Sequence, residues 1–329
     1  MNRLKIFSIF FCLIEMFCIN SCKNGTGHTK HGGSGNNAGS GSDGDAKYQF
    51  GIHLSKGQKY YYNTKTTIQT TLEVNNKKTE TSNQSEMGMF YEVLQDSGNI
   101  FSVKITYDKL HIVLKKTDTE DQVYDADNAA ESFDQMDQLL SNIKGTSITV
   151  TLDSKGNIIS TSGSKEIMNK VMGPMSSGDP QMKAKVQELV SRLTGPAFVD
   201  ETLKESFKLF PDSGLYVGDS WKRQSTQSAD MKFDVNSTYT LTSLDDGIAK
   251  IESEGKIANP KNTTATFMGY NVESDLGGEQ EGEFKADMES GLLLHGKTNI
   301  SIKGYIRILG KNVPVKFRVK KEITAVKKS

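Results

Sequence analysis

The chain has 329 residues, 40 of them basic and 40 acidic, and 35% of its side chains are apolar. A formal net charge of zero offers no basic field to a nucleic acid, and the low apolar content suits antiparallel sheets with one face in water. No segment is apolar over the roughly 20 residues that a membrane-spanning helix needs.

Arg3 and Lys5 precede a largely apolar run from Ile6 to Ile19, which ends in Ile19-Asn20-Ser21-Cys22. The run is too short to span a bilayer and has the length of a secretory core segment. The tetrapeptide reads as a lipobox, so residues 1–21 are expected to be a lipoprotein signal peptide and Cys22 a lipidated N-terminus. Glu15 inside the run and Asn20 before the small Ser21 depart from the commonest pattern. Cysteine usage agrees with the reading. Cys12 and Cys18 would leave with the signal, and the exported chain would keep one thiol, at its first residue, and no disulfide. Acyl chains such as palmitate contribute about 0.8 kcal/mol per buried methylene, so several of them hold a protein firmly to a bilayer. Lys23, where an aspartate would retain the protein at the inner membrane, points to the outer membrane and its periplasmic face. The expected partner is therefore the membrane, through Cys22, together with a lipid or envelope ligand. A monomer is expected, with no nucleic acid, metal or cofactor.

Residues 22–46 are rich in Gly, Ser and Asn and nearly free of apolar side chains. They cannot bury a core and read as a flexible tether, whose coil would span about 25–30 Å. His28 and His31 lie in it and read as solvated. About 280 residues follow, enough for one large or two small domains.

Residues 47–163 read as a first antiparallel sheet half with one helix. Tyr60 to Val74 is a strand, Asn75 to Ser85 a polar hairpin tip, and Met87 to Leu94 and Ile100 to Leu114 a pair around Asp96-Ser97-Gly98-Asn99. Phe133, Met136, Leu139, Leu140 and Ile143 recur at helical spacing over residues 128–143. Asn128 and Glu131 form a capping-box pattern there, and Gly145 is the stop. Strands resume over residues 146–160. Residues 164–211 form a helical connector: Ser164 to Met172, a helix opened by Asp179-Pro180 and stopped at Gly195, and a third capped by Asp200. Residues 212–329 read as a second sheet half, starting at Gly218-Asp219-Ser220-Trp221. Its strands are Ser237–Ser243, Gly247–Ser253, Gly282–Ala286, Leu292–Ile302 and Tyr305–Thr324. The expected fold is thus α+β, mainly antiparallel, in two related halves and of an open half-barrel kind.

The halves echo one another. Gly57-Gln58-Lys59-Tyr60 matches Gly218-Asp219-Ser220-Trp221. Tyr91-Glu92-Val93-Leu94 matches Tyr239-Thr240-Leu241-Thr242, and the acidic turn after Leu152 matches the one after Ala286. The lipobox, the tether, and Leu209-Phe210-Pro211 leading into Val217-Gly218-Asp219-Ser220-Trp221 resemble a family of bacterial lipoproteins whose domain has no known function. That resemblance implies no activity, cofactor or catalytic residue. At the level of fold, the repeated sheets are also similar to the open half-barrels of lipoprotein carriers.

Signals for chemistry are weak. His53, His111 and His295 are scattered on strands and loops, and the Ser-x-x-Lys matches at Ser141 and Ser162 lack partner motifs. The acidic stretches Asp118–Asp127 and Glu279–Glu283 read as solvated turns, the first also as a weak calcium candidate. Tyr60 and Trp221 are the candidates for lining a ligand pocket, with core packing the plainer account. The expected function is non-enzymatic: an envelope lipoprotein that binds a hydrophobic or polymeric ligand or a partner. The alternatives are an enzyme such as a hydrolase, and a structural spacer.

Overall fold

In the computed structural model, residues 47–328 are described except 75, 129–133, 174–179, 196–197, 199–205, 229–231, 260–263, 268–269 and 309. The signal peptide, Cys22 and the tether therefore lie outside the described residues. Among those described, thirteen strands form one antiparallel sheet. The first six are β1 (Lys59–Val74), β2 (Lys77–Asp96), β3 (Ile100–Lys116), β4 (Gln122–Asp125), β5 (Ser147–Asp153) and β6 (Ile158–Ser162). The others are β7 (Ser220–Ser228), β8 (Lys232–Asp245), β9 (Ile248–Ala258), β10 (Thr264–Phe267), β11 (Tyr270–Asp287), β12 (Leu293–Ile308) and β13 (Lys311–Lys328). Helix α1 (Gln135–Ile143) follows β4, and α2 (Ser164–Met172) and α3 (Pro180–Thr194) follow β6.

The main path of the sheet runs β6-β5-β3-β2-β1-β13-β12-β11-β9-β8-β7, with β4 on β3 and β10 on β11. Each half is a meander of neighbouring hairpins. The first and last strands pair with each other from Lys59↔Lys328 to Leu72↔Val315 and join the halves. The sheet is open, with β6 and β7 at its two ends.

Strand alternation sets the two faces. Phe101, Val103, Ile105 and Tyr107 of β3 are all buried on the inner face. A bulge at Asp108, opposite Gly88/Met89, then changes phase so that Leu110, Ile112 and Leu114 face inward too. The helices pack on β3, β4 and β5, and their apolar faces join the larger core cluster through Leu140, Ile143, Ile167, Leu189 and Val190. A second, smaller cluster lies on the same face nearer the other ends of β1, β8, β9 and β11–β13. It contains Ile68, Val235, Ile257, Ile302, Ile306 and Phe317.

Several sequence expectations need correction. The expected hairpin tip over residues 75–85 is mostly strand, because β2 starts at Lys77 and pairs with β1 all the way back to Val74. Its polar side chains are compatible with a strand because its backbone pairs on both sides, and Asn76, at φ 61, makes the tight turn. Helix α1 starts at Gln135, and its cap is Asp134, whose carboxylate accepts from the Met136 N–H at 2.7 Å. Asn128 instead sits in the turn after β4, a strand absent from the sequence reading. The break expected after Ile302 does not exist. Strand β12 continues through Gly304 to Ile308. Met172 and Thr194 do end their helices before Gly173 and Gly195. The expected caps Asp179 and Asp200 lie outside the described residues.

The echoed segments occupy corresponding places. Gly57 (φ 88) donates to the Val93 carbonyl, and Gly218 (φ 93) donates to that of Leu241. Gln58 closes the first turn by accepting from the Ser55 N–H, and Asp219 closes the second by accepting from that of Tyr216. Register shifts follow at Val93/Gln95 and at Leu241/Ser243. A further pair of shifts falls at Thr151/Leu152 and at Lys285/Ala286. Between them, Val103↔Val150 has its counterpart in Ile251↔Phe284.

Two glycines separate backbone strain from crowding. At Gly57 (φ 88) an added Cβ would meet open space, so Gly57→Ala should cost about 1 kcal/mol, from left-handed strain alone. At Gly291 (φ 74) the Cβ would also strike the Gly51 carbonyl oxygen, so Gly291→Ala should cost at least about twice as much. Urea unfolding of the two variants measures the difference.

Candidate functional site

The structure places Trp221 and Tyr60, the two sequence candidates, in the same buried cluster, with β13, β12, β11, β9 and β8 between their strands. Trp221 stacks between Phe210, at 6.1 Å, and Tyr239, at 5.6 Å. This ladder extends to Phe50 on one side and Phe284 on the other, and so ties the N-terminal segment and the connector to the second half. Tyr60 is buried near the acidic turn after β11. Burial first, then the Asp287 charge, raises its phenol pKa.

The next row along the inner face differs between the halves. In the first half it reads Tyr62–Met89–Tyr107 across β1, β2 and β3. These side chains are 1%, 1% and 0% exposed and rank among the largest fully buried ones. Tyr62 stacks on Tyr91 at 4.3 Å, and the Tyr107 hydroxyl donates to the Leu193 carbonyl of α3 at 2.8 Å. Burial pushes both phenols far above their ordinary pKa. The corresponding row of the second half reads Arg223–Ser237–Gly255 across β7, β8 and β9, and continues to Gln280 on β11. A guanidinium stands where the first half has a tyrosine, a hydroxyl where it has a methionine, and a glycine where it has a second tyrosine.

This polar row is incompletely satisfied. Gln280 lies over Gly255, whose Cβ would come within 2.7 Å of the Gln280 Cγ, and its Nε2 donates to the Ser237 Oγ at 2.5 Å. Among the described residues the Gln280 Oε1 has no donor, and the Trp221 Nε1, two residues before Arg223, has no acceptor. Arg223 is 9% exposed. It lies over the Tyr239 ring at 5.4 Å, and among the described residues it has no carboxylate or hydrogen-bond acceptor. Each unmade buried hydrogen bond costs about 1–3 kcal/mol, and more at a charge. A cation–π contact returns only about 1–2 kcal/mol. The three groups meet around Tyr239 and Ser237, so their unmet valences lie together.

A groove of about 670 Å³ crosses the four strands at this level on the outer face, lined mostly by outward side chains that include Lys222, Lys256, Glu254 and Glu279. Strand alternation turns those outward side chains away from Arg223, so the glutamates do not neutralise it. A second groove, of about 480 Å³, lies one row on and includes Glu252, Glu283 and Lys297. Glu279, Glu281 and Glu283 thus line the outer face of β11, so this stretch is a strand and not the expected turn.

The histidines are dispersed. His111 pairs with Asp125 at 2.8 Å and His295 with Glu322 at 3.3 Å, both through outward-facing positions. Burial disfavours the Asp125 carboxylate, but hydrogen bonds from the Asp127 N–H and from His111 outweigh it and lower its pKa. Asp121 and Asp127, of the calcium candidate, pair with Lys115 and Lys144. Among the described residues no three His, Cys, Asp or Glu are grouped to hold a metal ion.

Comparison with known proteins places the chain in sequence space. A model for a family of unknown function matches residues 98–293, a stretch that contains the whole row from Arg223 to Gln280. The chain belongs to this family, DUF6263. No curated protein shows significant similarity to it. Among solved structures it is similar to lipovitellin, described for its lipid–protein interactions. The TM-score is 0.44 and the identity 10%, over 83% of this chain and 25% of that one. The chain therefore spans about a quarter of the length of lipovitellin. It is also similar to the COG4313 outer membrane channel from Pseudomonas putida F1, with a TM-score of 0.21 and 8% identity over 87% of this chain and 100% of that one. A DUF1329 family protein from Desulfovibrio piger ATCC 29098 gives a TM-score of 0.17 and 11% identity, over 82% of this chain and 84% of that one.

Sequence reasoning missed Arg223, Ser237 and Gln280. A signal for the first was present: with Trp221 directed inward at a strand start, alternation directs Arg223 to the same face.

The contrast between the rows has a direct consequence. The Tyr62 hydroxyl has no partner among the described residues, so Tyr62→Phe should leave stability within about 0.5 kcal/mol. Tyr107→Phe strands the Leu193 carbonyl and should cost about 1–2 kcal/mol. Thermal unfolding of both variants checks the pair.

Proposed function

We propose that the chain is a non-enzymatic envelope lipoprotein, anchored through Cys22, whose half-open sheet holds a ligand with apolar character in its second half. The observation that carries this reading is the row Arg223–Ser237–Gly255–Gln280. It is small and polar where the matching row of the first half is filled by Tyr62, Met89 and Tyr107. Its functional groups are a guanidinium, an amide and a neighbouring indole, which suit recognition. Apolar side chains flank it on both sides, Leu241, Ile251 and Phe284 in one cluster and Val235 and Ile257 in the other. Trp221 borders this region. Tyr60, its counterpart in the first half, borders the filled row. The proposed location is the outer membrane, on the periplasmic side, where the tether would let the domain move about 25–30 Å from the bilayer surface. The two halves are proposed to descend from one repeated unit, which their matching turns and bulges support.

Native mass spectrometry of the protein purified from its own membranes tests the ligand reading. Co-purified lipid or another amphiphile in defined stoichiometry is expected, and a chain that is consistently empty would overturn it. The anchor is tested by feeding radiolabelled palmitate to producing cells. The wild-type chain should take up label and Cys22→Ala should take up none; label on both would refute Cys22 as the attachment point.

A further inference from the structure

The same row specifies the chemistry of its ligand, an inference that rests on the ligand-binding reading. Two rows at the same level of the two halves differ in kind. In the first, Tyr62 stacks on Tyr91, and Tyr107 reaches the backbone of α3, so the space between sheet and helix is closed by protein. In the second, Arg223 takes the place of Tyr62 over the equivalent Tyr239. Ser237 and Gly255 there replace the large side chains of Met89 and Tyr107, and Gln280 lies over Gly255 to reach the Ser237 hydroxyl.

The leftover valences describe what would complete the row. Arg223 supplies a positive charge and N–H donors that still reach solvent, and the buried Trp221 Nε1 supplies one more donor, without an acceptor among the described residues. The Gln280 Oε1 is an acceptor without a donor there. A group that satisfies all three carries negative oxygens and one O–H. A phosphate monoester has both in its monoanionic form, and a carboxylate has the oxygens alone. The clusters on either side, with Tyr239 and Phe284 on one and Val235 and Ile257 on the other, suit an alkyl tail attached to that head. We propose that the second half of the sheet binds an anionic amphiphile, with its phosphate-type head on Arg223, Trp221 and Gln280.

Trp221 is the one tryptophan of the chain, so its fluorescence reports on the site itself. The test uses the full chain carrying Cys22→Ala, titrated below micelle-forming concentrations with dodecyl phosphate, dodecanoate, dodecanol and inorganic phosphate. Saturable emission changes are expected, with affinity falling in the order dodecyl phosphate, dodecanoate, dodecanol. The first should bind at least about tenfold more tightly than the alcohol, because its head makes charge-assisted hydrogen bonds. Inorganic phosphate binding as tightly as dodecyl phosphate would overturn the amphiphile in favour of a free anion.

Two variants separate the inference from the reading beneath it. Arg223→Met should abolish the preference for an anionic head. Its melting temperature without ligand should equal or exceed that of the parent, because a cation without a carboxylate partner is replaced by an apolar chain of similar length. Ser237→Met should refill the row as in the first half and block binding with the charge intact. If Arg223→Met binds all four probes like the parent, the head assignment fails while ligand binding stands. If it lowers the melting temperature by several degrees, Arg223 is a packing residue and the proposal falls. If no amphiphile binds the parent at all, both the inference and the ligand reading fail.

Discussion

The pairing of the first strand with the last is the constraint on which the rest depends. Strands β1 and β13 run antiparallel from Lys59↔Lys328 to Leu72↔Val315 and join two meanders that would otherwise be separate curved sheets. Each meander alone would present its inner face to water. Joined, they give a single concave face on which Tyr60 and Tyr62 at one end of β1 belong to the main cluster and Ile68 to the second. Because the partners are nearly the whole domain apart in sequence, this ladder is also the contact with the largest loop-closure entropy. It follows that the local hairpins form without it and that the common core does not.

The inner face is then covered unequally. Helices α1, α2 and α3 serve β3, β4 and β5, and the aromatic ladder from Phe50 through Phe210 and Trp221 serves the start of the second half. Past Tyr239 the side chains of the row become small or polar. A buried polar group without a partner is expensive enough that natural chains keep few of them. Here the Trp221 Nε1 and the Gln280 Oε1 lie on the row and its neighbour, beside the Arg223 guanidinium, while the Tyr62 hydroxyl, the Asn63 Oδ1 and the Ser274 hydroxyl lie elsewhere on the sheet. The pair in the second half is the one that adjoins a cation.

How much of this was legible in the residues depends on what each signal measures. Alternation in Phe101, Val103, Ile105 and Tyr107 reports which face meets the core, and it located β3 directly. The chain Lys77–Glu86 has no apolar alternation. It is a strand because β1 and β3 flank it, which no local pattern encodes. Asp134 outcompetes Asn128 as helix cap because Asn128 is already held in the turn closing β4, a four-residue strand too short to announce itself. The echo between halves was readable at Gly57 and Gly218, where φ values of 88 and 93 make glycine the residue of choice. Its informative part was not readable. Seeing that Tyr62, Met89 and Tyr107 become Arg223, Ser237 and Gly255 needs the register of three strands, including the bulge at Asp108 that shifts β3 by one residue.

That bulge bears on how the two rows differ. In the first half the register shift places Tyr107 and Leu110 inward together and brings the Tyr107 hydroxyl to α3, so sheet and connector are locked there. Strand β9 pairs with β8 through Gly255 without such a shift, and the glycine lets Gln280 cross above it to Ser237. The first half thus fills this row with large side chains, and the second fills it with small and polar ones. The polar row begins where the sheet ends. Strand β7, which carries Trp221 and Arg223, pairs on one side only, with β8, so a ligand seated on it needs to displace no second ladder. The two halves thus follow one plan of turns and register shifts, and they differ along a single row.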